Sequence, residues 1–295
     1  MSVCCIVAAR MPANVPIDSN ERRLPGKVLM ELSGITILHH VVNRLRESRL
    51  IDEIIIASTK NPLNESIIKE CNKIDVKYFL GDEEDVLNRF YEVSKQSKAD
   101  TFVRVSADCP LLDPQINDMV IKLFLDGRGR FDYGSNADNV NKGLMNRRTF
   151  PRGLDIEVFS AEALKRAYQY DRSTRAHVTP YMYTHLNEFC IFRLENWKDY
   201  SDYRWTVDTV EDLKMMRQIF ENLYGKNDSN PYPDYKDVVD FLDERPEIKE
   251  INRQVEQMGA YVPLVNKGND VTRFQLTWDG KVREIEGREF GFSRF

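Results

Sequence analysis

The sequence predicts an α/β fold in which a three-layer, mostly parallel sheet carries helices on its faces. Apolar runs of strand length, beginning with residues 3–9, alternate with stretches whose apolar residues recur at helical spacing. Strand–helix alternation at such short intervals is typical of right-handed βαβ units. The chain has 295 residues, 42% of them hydrophobic and 30% charged, which is the composition of an ordinary globular protein.

The first half justifies this fold element by element. After the first strand, the pattern predicts a helix at 35–45, a strand at 53–58, a helix at 64–73, a strand at 76–80, a helix at 86–93 with Asp82 as candidate N-cap, a strand at 101–106 and a helix at 114–125. Ligands of parallel sheets bind beyond the carboxyl ends of the strands. The loops after Ala9, Leu80 and Ser106 are therefore the first candidates for a binding site.

The second half is less regular. It predicts a mobile polar loop at 133–152, a strand at 154–159 with one polar face, a helix at 161–170, a helical stretch at 173–185 interrupted by Pro180, a strand at 189–194 and a helix at 210–223. We expect residues 1–225 to form the core and residues 226–295 an appendage. The appendage contains candidate helices at 235–242 and 248–258, and a hairpin at 271–285 whose turn is Asp279-Gly280. The hairpin could pair with a second chain and make a homodimer, or pack on its own core.

Charge and composition exclude several classes of protein. The formal net charge is −5, whereas a nucleic-acid-binding protein normally carries a basic excess. No apolar run is long enough to cross a membrane, and the N-terminus is typical of a buried strand rather than a signal peptide. The five cysteines contain no C-x-x-C pair, which makes disulfide and zinc frameworks unlikely and favours the cytoplasm.

Cations gather in the loop that follows the first strand. Arg10, Arg22, Arg23 and Lys27 surround a turn made by Pro25-Gly26. Fixed cations and free backbone N–H groups at the carboxyl end of a strand suit a polyphosphate. The alternative interpretation is a basic surface loop. The loop is neither a G-x-x-x-x-G-K-S/T nor a G-x-G-x-x-G motif.

Two carboxylates follow or precede predicted elements. Asp108 lies just past the strand at 101–106, where it could hold a divalent ion on a bound phosphate or cap the next turn. Asp208 precedes the helix at 210–223. It could be the N-cap of that helix, or it could be the second carboxylate of a metal site. Spacing alone does not bring the two together.

Two further residues are candidates for contact with a second substrate. Glu157 lies on the polar face of its strand and could meet a hydroxyl group, and His177 could act as a base or donor, although a packed or capping histidine is commoner. His39 and His40 lie in an amphipathic helix and are predicted to be structural. No G-x-S-x-G, H-E-x-x-H or EF-hand motif is present.

Eight segments taken in order resemble one family, the cytidylyltransferases of the CMP-sugar synthetase type, and within it the spore coat polysaccharide biosynthesis branch. They lie between residues 5 and 213 and read CIVAAR, RLPGKVL, IDEIIIAST, GDEEDVLNRFY, VRVSADCPLLDP, RTFPRGLDIEVF, HVTPY and RWTVDTVEDL. The resemblance implies a nucleotide-diphospho-sugar transferase (GT-A-like) fold. It also implies Mg²⁺-dependent transfer of CMP from CTP to a small acceptor, with release of pyrophosphate. The acceptors it suggests are a sugar acid, a sugar or polyol phosphate, or a phosphonate, in the synthesis of surface polysaccharide precursors.

The same resemblance assigns roles to residues. It implies nucleotide contacts from Ala8, Arg10, Arg22, Arg23, Lys27, Asp82, Ser106 and Asp108; metal binding by Asp108 and Asp208; catalytic roles for Arg10, Lys27, Asp108 and Asp208; and acceptor contacts from Glu157, His177 and Arg204.

The sequence departs from the family pattern in two places. The loop between Arg10 and Lys27 is several residues longer than usual, and Ala176 stands where a Glu is expected before His177. These departures keep open the alternative of a non-catalytic nucleotide-binding subunit. A nucleotide-sugar-dependent glycosyltransferase is a second alternative, because it too places a metal carboxylate after a strand.

Overall fold

The computed structural model describes residues 1–11, 24–137, 148–173, 175–226, 230–255, 271–277 and 279–285. Its strands are β1 (Val3–Ala8), β2 (Glu31–Leu32), β3 (Ile35–Thr36), β4 (Glu53–Thr59), β5 (Lys77–Gly81), β6 (Thr101–Ser106), β7 (Tyr133–Ser135), β8 (Glu157–Ser160), β9 (Ile191–Glu195), β10 (Thr272–Leu276) and β11 (Val282–Glu284). Its α-helices are α1 (Ile37–Arg46), α2 (Glu65–Lys73), α3 (Val86–Gln96), α4 (Pro114–Asp126), α5 (Ala161–Tyr170), α6 (Pro180–Thr184), α7 (Val210–Leu223), α8 (Tyr235–Glu244) and α9 (Pro246–Lys249).

Nine of these strands form one sheet, in the order β11-β10-β9-β7-β8-β6-β1-β4-β5. The half that contains β6, β1, β4 and β5 is parallel throughout, whereas β8 runs antiparallel to both β6 and β7. The predicted α/β fold with a three-layer, mostly parallel sheet is confirmed.

The helices form two layers because the central strands are apolar on both faces. Cys5 and Val7 of β1 contribute to a core with α1, α2, α4, α7 and α8, while Cys4 and Ile6 contribute to a core with α3, α5 and α6. The parallel half therefore has one carboxyl-terminal edge, beyond Ala8 and Ser106, which are paired in register. No helix among the described residues has the length and apolar character of a membrane span.

His40 lies inside the first of these cores, as predicted for a structural histidine. Its Nε2 donates to the Leu32 carbonyl at 2.8 Å, and its Nδ1 lies 3.0 Å from the Tyr232 hydroxyl. Burial lowers the pKa of His40 to about 4. The imidazole is therefore neutral in the folded protein at neutral pH.

Two predictions about local structure are wrong. Residues 133–152 are not all loop, since Tyr133–Ser135 is a strand between two others. The expected helix at 173–185 is reduced to Pro180–Thr184, because Pro180 has no backbone N–H and occupies the first helical position. Residues 138–147 lie outside the described residues.

The C-terminal segment packs against the core and extends its sheet. Helix α8 packs through Val238 and Leu242 into the core that contains α1 and α7, and β10 pairs in parallel with β9. The predicted hairpin is confirmed as β10 and β11. The helix expected at 248–258 is divided into α9 and a 3-10 turn that ends at Asn252, and residues 256–258 lie outside the described residues. The division into residues 1–225 and 226–295 stays a proposal, as does the homodimer.

Candidate active site

Lys27 and two aspartates converge at the carboxyl-terminal edge of the sheet. The Lys27 ammonium lies 2.5 Å from Asp108 Oδ2 and 2.6 Å from Asp208 Oδ1. Lys27 begins a 3-10 turn after Gly26, Asp108 follows β6, and Asp208 precedes α7. Three distant segments of the chain thus contribute one charged group each to a single cluster.

Electrostatics in this cluster favour the charged forms of Lys27 and Asp208. Burial by itself would lower the pKa of Lys27, but the two carboxylates outweigh it and raise the pKa. Burial by itself would raise the pKa of Asp208, but Lys27 and Arg204 outweigh it and hold the pKa below its usual range. Lys27 and Asp208 are therefore both ionised at neutral pH.

Backbone hydrogen bonds hold the three segments together. Leu24 N–H donates to the Asp208 carbonyl at 2.8 Å, and Val207 N–H donates to the Asp108 carbonyl at 2.9 Å. The side chains of Asp108 and Asp208 are thereby set on neighbouring loops. Their meeting depends on these tertiary contacts, which spacing in the sequence does not reveal.

The alternative prediction that Asp208 is the N-cap of α7 is wrong. Thr209 is the N-cap of α7, and it forms a capping box with Asp212. The Thr209 hydroxyl accepts from Asp212 N–H at 3.2 Å, and Asp212 Oδ2 accepts from Thr209 N–H at 3.0 Å. The Asp208 carboxylate is therefore available for Lys27 and Arg204.

Arg204 links Asp208 to a buried carboxylate. Its Nη2 lies 2.7 Å from Asp208 Oδ2, and its Nε lies 2.9 Å from Asp212 Oδ1. Asp212 is 0% exposed and also accepts from Asp208 N–H and from the Asn252 side chain, each at 2.9 Å. Asp212 and Asn252 are not among the site residues predicted from the sequence. The Thr-x-x-Asp spacing of 209–212 was a signal for Asp212, whereas Asn252 had none.

A glycine allows the loop before β8 to approach this cluster. The Arg152 N–H donates to the Tyr203 carbonyl at 3.0 Å, and the Arg152 carbonyl accepts from Trp205 N–H at 2.6 Å. A Cβ at Gly153, whose φ is +106°, would lie 2.6 Å from the Trp205 carbonyl carbon. Only glycine fits this contact without displacing the backbone that leads to Asp208.

The remaining predicted nucleotide residues lie along the same edge. Ala8 and Ser106 end β1 and β6, and the exposed Arg10 donates from Nη1 to the Glu83 carbonyl at 3.2 Å. Arg22 and Arg23 lie outside the described residues.

Asp82 does not cap α3, contrary to the sequence-based expectation, because Asp85 is the N-cap. The Asp82 carboxylate instead accepts from Glu84 and Asp85 N–H at 2.8 Å each and stabilises the turn before the helix.

Glu157 has polar neighbours, as its place on a polar strand face predicts, but it is buried. Its carboxylate accepts from Tyr133 Oη at 2.7 Å and from Thr179 Oγ1 at 2.6 Å, and it pairs with Arg104 on the neighbouring strand. His177 is largely exposed nearby, and partial burial together with the Arg104 charge lowers its pKa. Contact of Glu157, His177 and Arg204 with an acceptor stays a prediction.

The donor set at Asp108 and Asp208 fits a hard divalent cation. Both carboxylates direct an oxygen at one position, which a positive charge occupies. Mg²⁺ prefers oxygen ligands and is commonly bound by one or two carboxylates together with substrate phosphates. Among the described residues, no group of three or more His, Cys, Asp or Glu side chains has the arrangement of a metal site.

Comparison with known proteins decides the family. The family model for cytidylyltransferases matches residues 5–262. This chain belongs to the cytidylyltransferase family. It is an enzyme of that class, and the resemblance noted in its eight segments is confirmed.

Relatives of this cytidylyltransferase cover most of its length. An uncharacterized protein from Methanocaldococcus jannaschii is 34% identical over 243 residues, 81% of this chain and 93% of the relative. The spore coat polysaccharide biosynthesis protein SpsF of Bacillus subtilis is 28% identical over 237 residues, 76% of this chain and 90% of the relative. The solved structure of a cytidylyltransferase from Leptospira borgpetersenii aligns with a TM-score of 0.74 at 28% identity and covers 88% of this chain and 100% of that one. The two proteins therefore share the α/β fold described above.

Proposed function

We propose that this cytidylyltransferase transfers CMP from CTP to a small acceptor in an Mg²⁺-dependent reaction that releases pyrophosphate. The acceptor is a sugar acid, a sugar or polyol phosphate, or a phosphonate, and the product is a precursor of a surface polysaccharide. The likeness to the spore coat polysaccharide protein supports the pathway class. The observation that carries the proposal is the convergence of Lys27, Asp108 and Asp208.

The proposed chemistry needs no covalent enzyme intermediate. An acceptor oxygen attacks the α-phosphorus, the bond from that phosphorus to the bridging oxygen of the β-phosphate breaks, and the acceptor proton passes to solvent or a nearby base. Positioning and charge neutralisation then supply the rate enhancement. Lys27 and Arg10 are suited to hold the polyphosphate, since both extend from loops at the carboxyl-terminal edge.

Asp108 and Asp208 are the residues that would hold Mg²⁺. When bound, the metal neutralises negative charge on the phosphates. Arg204 keeps Asp208 oriented through its contacts with both Asp208 and Asp212. The long Arg10–Lys27 loop and Ala176 bear on the choice of acceptor.

The first experiment is a thermal-shift titration of the whole chain with CTP, UTP, ATP, GTP and a CMP-sugar, with and without Mg²⁺. A ligand at 100 times its Kd stabilises by about 2.7 kcal/mol, which raises the melting temperature by several degrees. A CTP-selective shift that Mg²⁺ enlarges is the expected result. A shift with the intact CMP-sugar alone would instead favour a glycosyltransferase. No shift with any nucleotide would favour a non-catalytic subunit that has lost the site.

The second experiment measures pyrophosphate release with a panel of the proposed acceptors. Asp108→Asn and Asp208→Asn should each lower the rate at least about 100-fold, or about 2.7 kcal/mol in the barrier. Asp126→Asn is the matched control, because Asp126 lies at the far end of α4 and pairs with Lys122. Near-normal turnover in either site variant, with an unchanged melting temperature, would remove the metal assignment.

A further inference from the structure

Arg89 carries a buried guanidinium in which two nitrogen donors are unsatisfied among the described residues. It lies on α3 and is 2% exposed. Its Nε and Nη1 are buried and have no hydrogen-bond partner among the described residues. Buried arginine donors are normally satisfied, because a charge removed from water and left unpaired is strongly unfavourable.

A second buried arginine, Arg44, has a protein acceptor for each of its side-chain nitrogens. Arg44 is also 2% exposed, yet its Nε donates to the Leu112 carbonyl at 2.5 Å and its Nη1 lies 3.2 Å from Glu47. Its Nη2 donates to the Pro233 carbonyl at 3.4 Å. Arg44 is therefore an equally buried arginine whose donors have protein acceptors, unlike Nε and Nη1 of Arg89.

The acidic side chains near Arg89 do not supply the acceptors that its Nε and Nη1 lack. The Asp82 carboxylate accepts from the N–H groups of the turn before α3, and the Glu83 carboxylate accepts from Asn61. Burial and the nearby Arg10 charge lower the pKa of Arg89 to about 10. The group thus stays charged at neutral pH, beside a second cation.

Arg89 lies at the edge where the nucleotide is proposed to bind. A Cβ at Gly81 would lie 2.9 Å from Arg89 Cγ, so the absence of a side chain there lets the arginine pass over the end of β5. Arg10 reaches the same corner through the Glu83 carbonyl. The carboxyl end of a parallel strand is the usual ligand position in such sheets.

We propose that Arg89 is a nucleotide-binding residue that donates to an oxygen of the substrate nucleotide. The inference rests on the proposed function, since it requires a nucleotide at this edge. A guanidinium deprived of water and of protein acceptors gains its hydrogen bonds from the ligand. The acceptor is a carbonyl of the pyrimidine ring or a phosphate oxygen, which share the same donor requirement.

The test compares Arg89→Met with Arg44→Met in the whole chain. For each variant, the melting temperature without ligand and the Kd values for CTP with Mg²⁺ and for cytidine are measured. Arg89→Met should raise the melting temperature by a few degrees, because it removes an uncompensated buried charge, and should weaken CTP binding at least 10-fold. Arg44→Met should lower the melting temperature and leave the Kd for CTP within twofold of wild type.

The nucleoside distinguishes the two acceptors. An equal loss of affinity for cytidine and CTP assigns the contact to the nucleoside, and a loss confined to CTP assigns it to a phosphate. A CTP Kd for Arg89→Met within twofold of wild type overturns the inference, while absence of CTP binding in the wild type overturns the proposed function instead. If Arg89→Met does not fold, Arg89→Lys is measured instead. A Kd for CTP within twofold of wild type in Arg89→Lys likewise overturns the inference.

Discussion

Replacing Asp212 with Asn removes the buried charge that supports the Lys27–Asp108–Asp208 cluster. Asp212 accepts from Arg204 Nε at 2.9 Å and from Arg204 Nη2 at 3.1 Å. An amide at this position keeps the shape of the side chain but loses its charge, and its NH₂ group faces donors. The Arg204 side chain, which is 10% exposed, would then retain Asp208 as a carboxylate partner.

The expected loss of stability follows from these contacts. Removal of one partner of a buried ion pair costs about 3–5 kcal/mol. We expect the lower figure, about 3 kcal/mol, because Asp208 still compensates part of the Arg204 charge. For a chain of this size the melting temperature should fall by roughly 6–12 °C.

Asp237→Asn is a matched control for this variant. Asp237 occupies the same N3 position in the capping box of α8, where it accepts from Asp234 N–H at 3.1 Å. It is exposed, so its replacement tests the cap without a buried ion pair. The expected cost is at most about 1 kcal/mol.

Differential scanning calorimetry of the two variants, followed by pyrophosphate release, checks the reasoning. Asp212→Asn should be less stable than Asp237→Asn and slower in turnover, since Asp208 loses the contact of its N–H group with Asp212. Equal melting temperatures for the two variants would refute the claim that Asp212 stabilises the site through Arg204.

Two further predictions concern single residues. Gly153→Ala should lower the free energy of unfolding by at least about 3 kcal/mol, because a Cβ would lie 2.6 Å from the Trp205 backbone at a φ of +106°. The control is Gly280→Ala, at a φ of +80° with open space around it, which should lower that free energy by about 1–2 kcal/mol. Thermal unfolding of both variants measures the difference. The pKa of His40 is about 4 in the folded protein and about 6.5 in the unfolded chain, so the unfolded chain binds more protons between these values and stability falls as the pH falls. The loss should approach about 3 kcal/mol at pH 4, and a His40→Gln variant should show a flatter pH dependence of its unfolding free energy between pH 4 and 6.5. An unchanged pH slope in that variant would contradict the assignment.

The sequence by itself determined the parallel half of the fold. Runs such as Val3–Ala8 are apolar at every position, so only a strand covered on both faces buries them, and helix α7 was predicted with the bounds that it has. Local sequence patterns do not predict the burial of a charged residue whose partner lies on another strand. Glu157 alternates with apolar residues like a surface residue, yet Arg104 on the neighbouring strand lies opposite and pairs with it inside the protein.

The tertiary structure alone decided which charged side chains meet. Lys27 and Asp208 are 181 residues apart, and no periodicity along the chain relates two loops that are joined by hydrogen bonds across the end of a sheet. The same holds for Asn252, whose side chain donates to Asp212 and to the Arg204 carbonyl from a segment that the family-like motifs do not reach. Strand and helix formation depend on neighbours in sequence, whereas the pairing of buried charges depends on which surfaces the folded layers bring into contact.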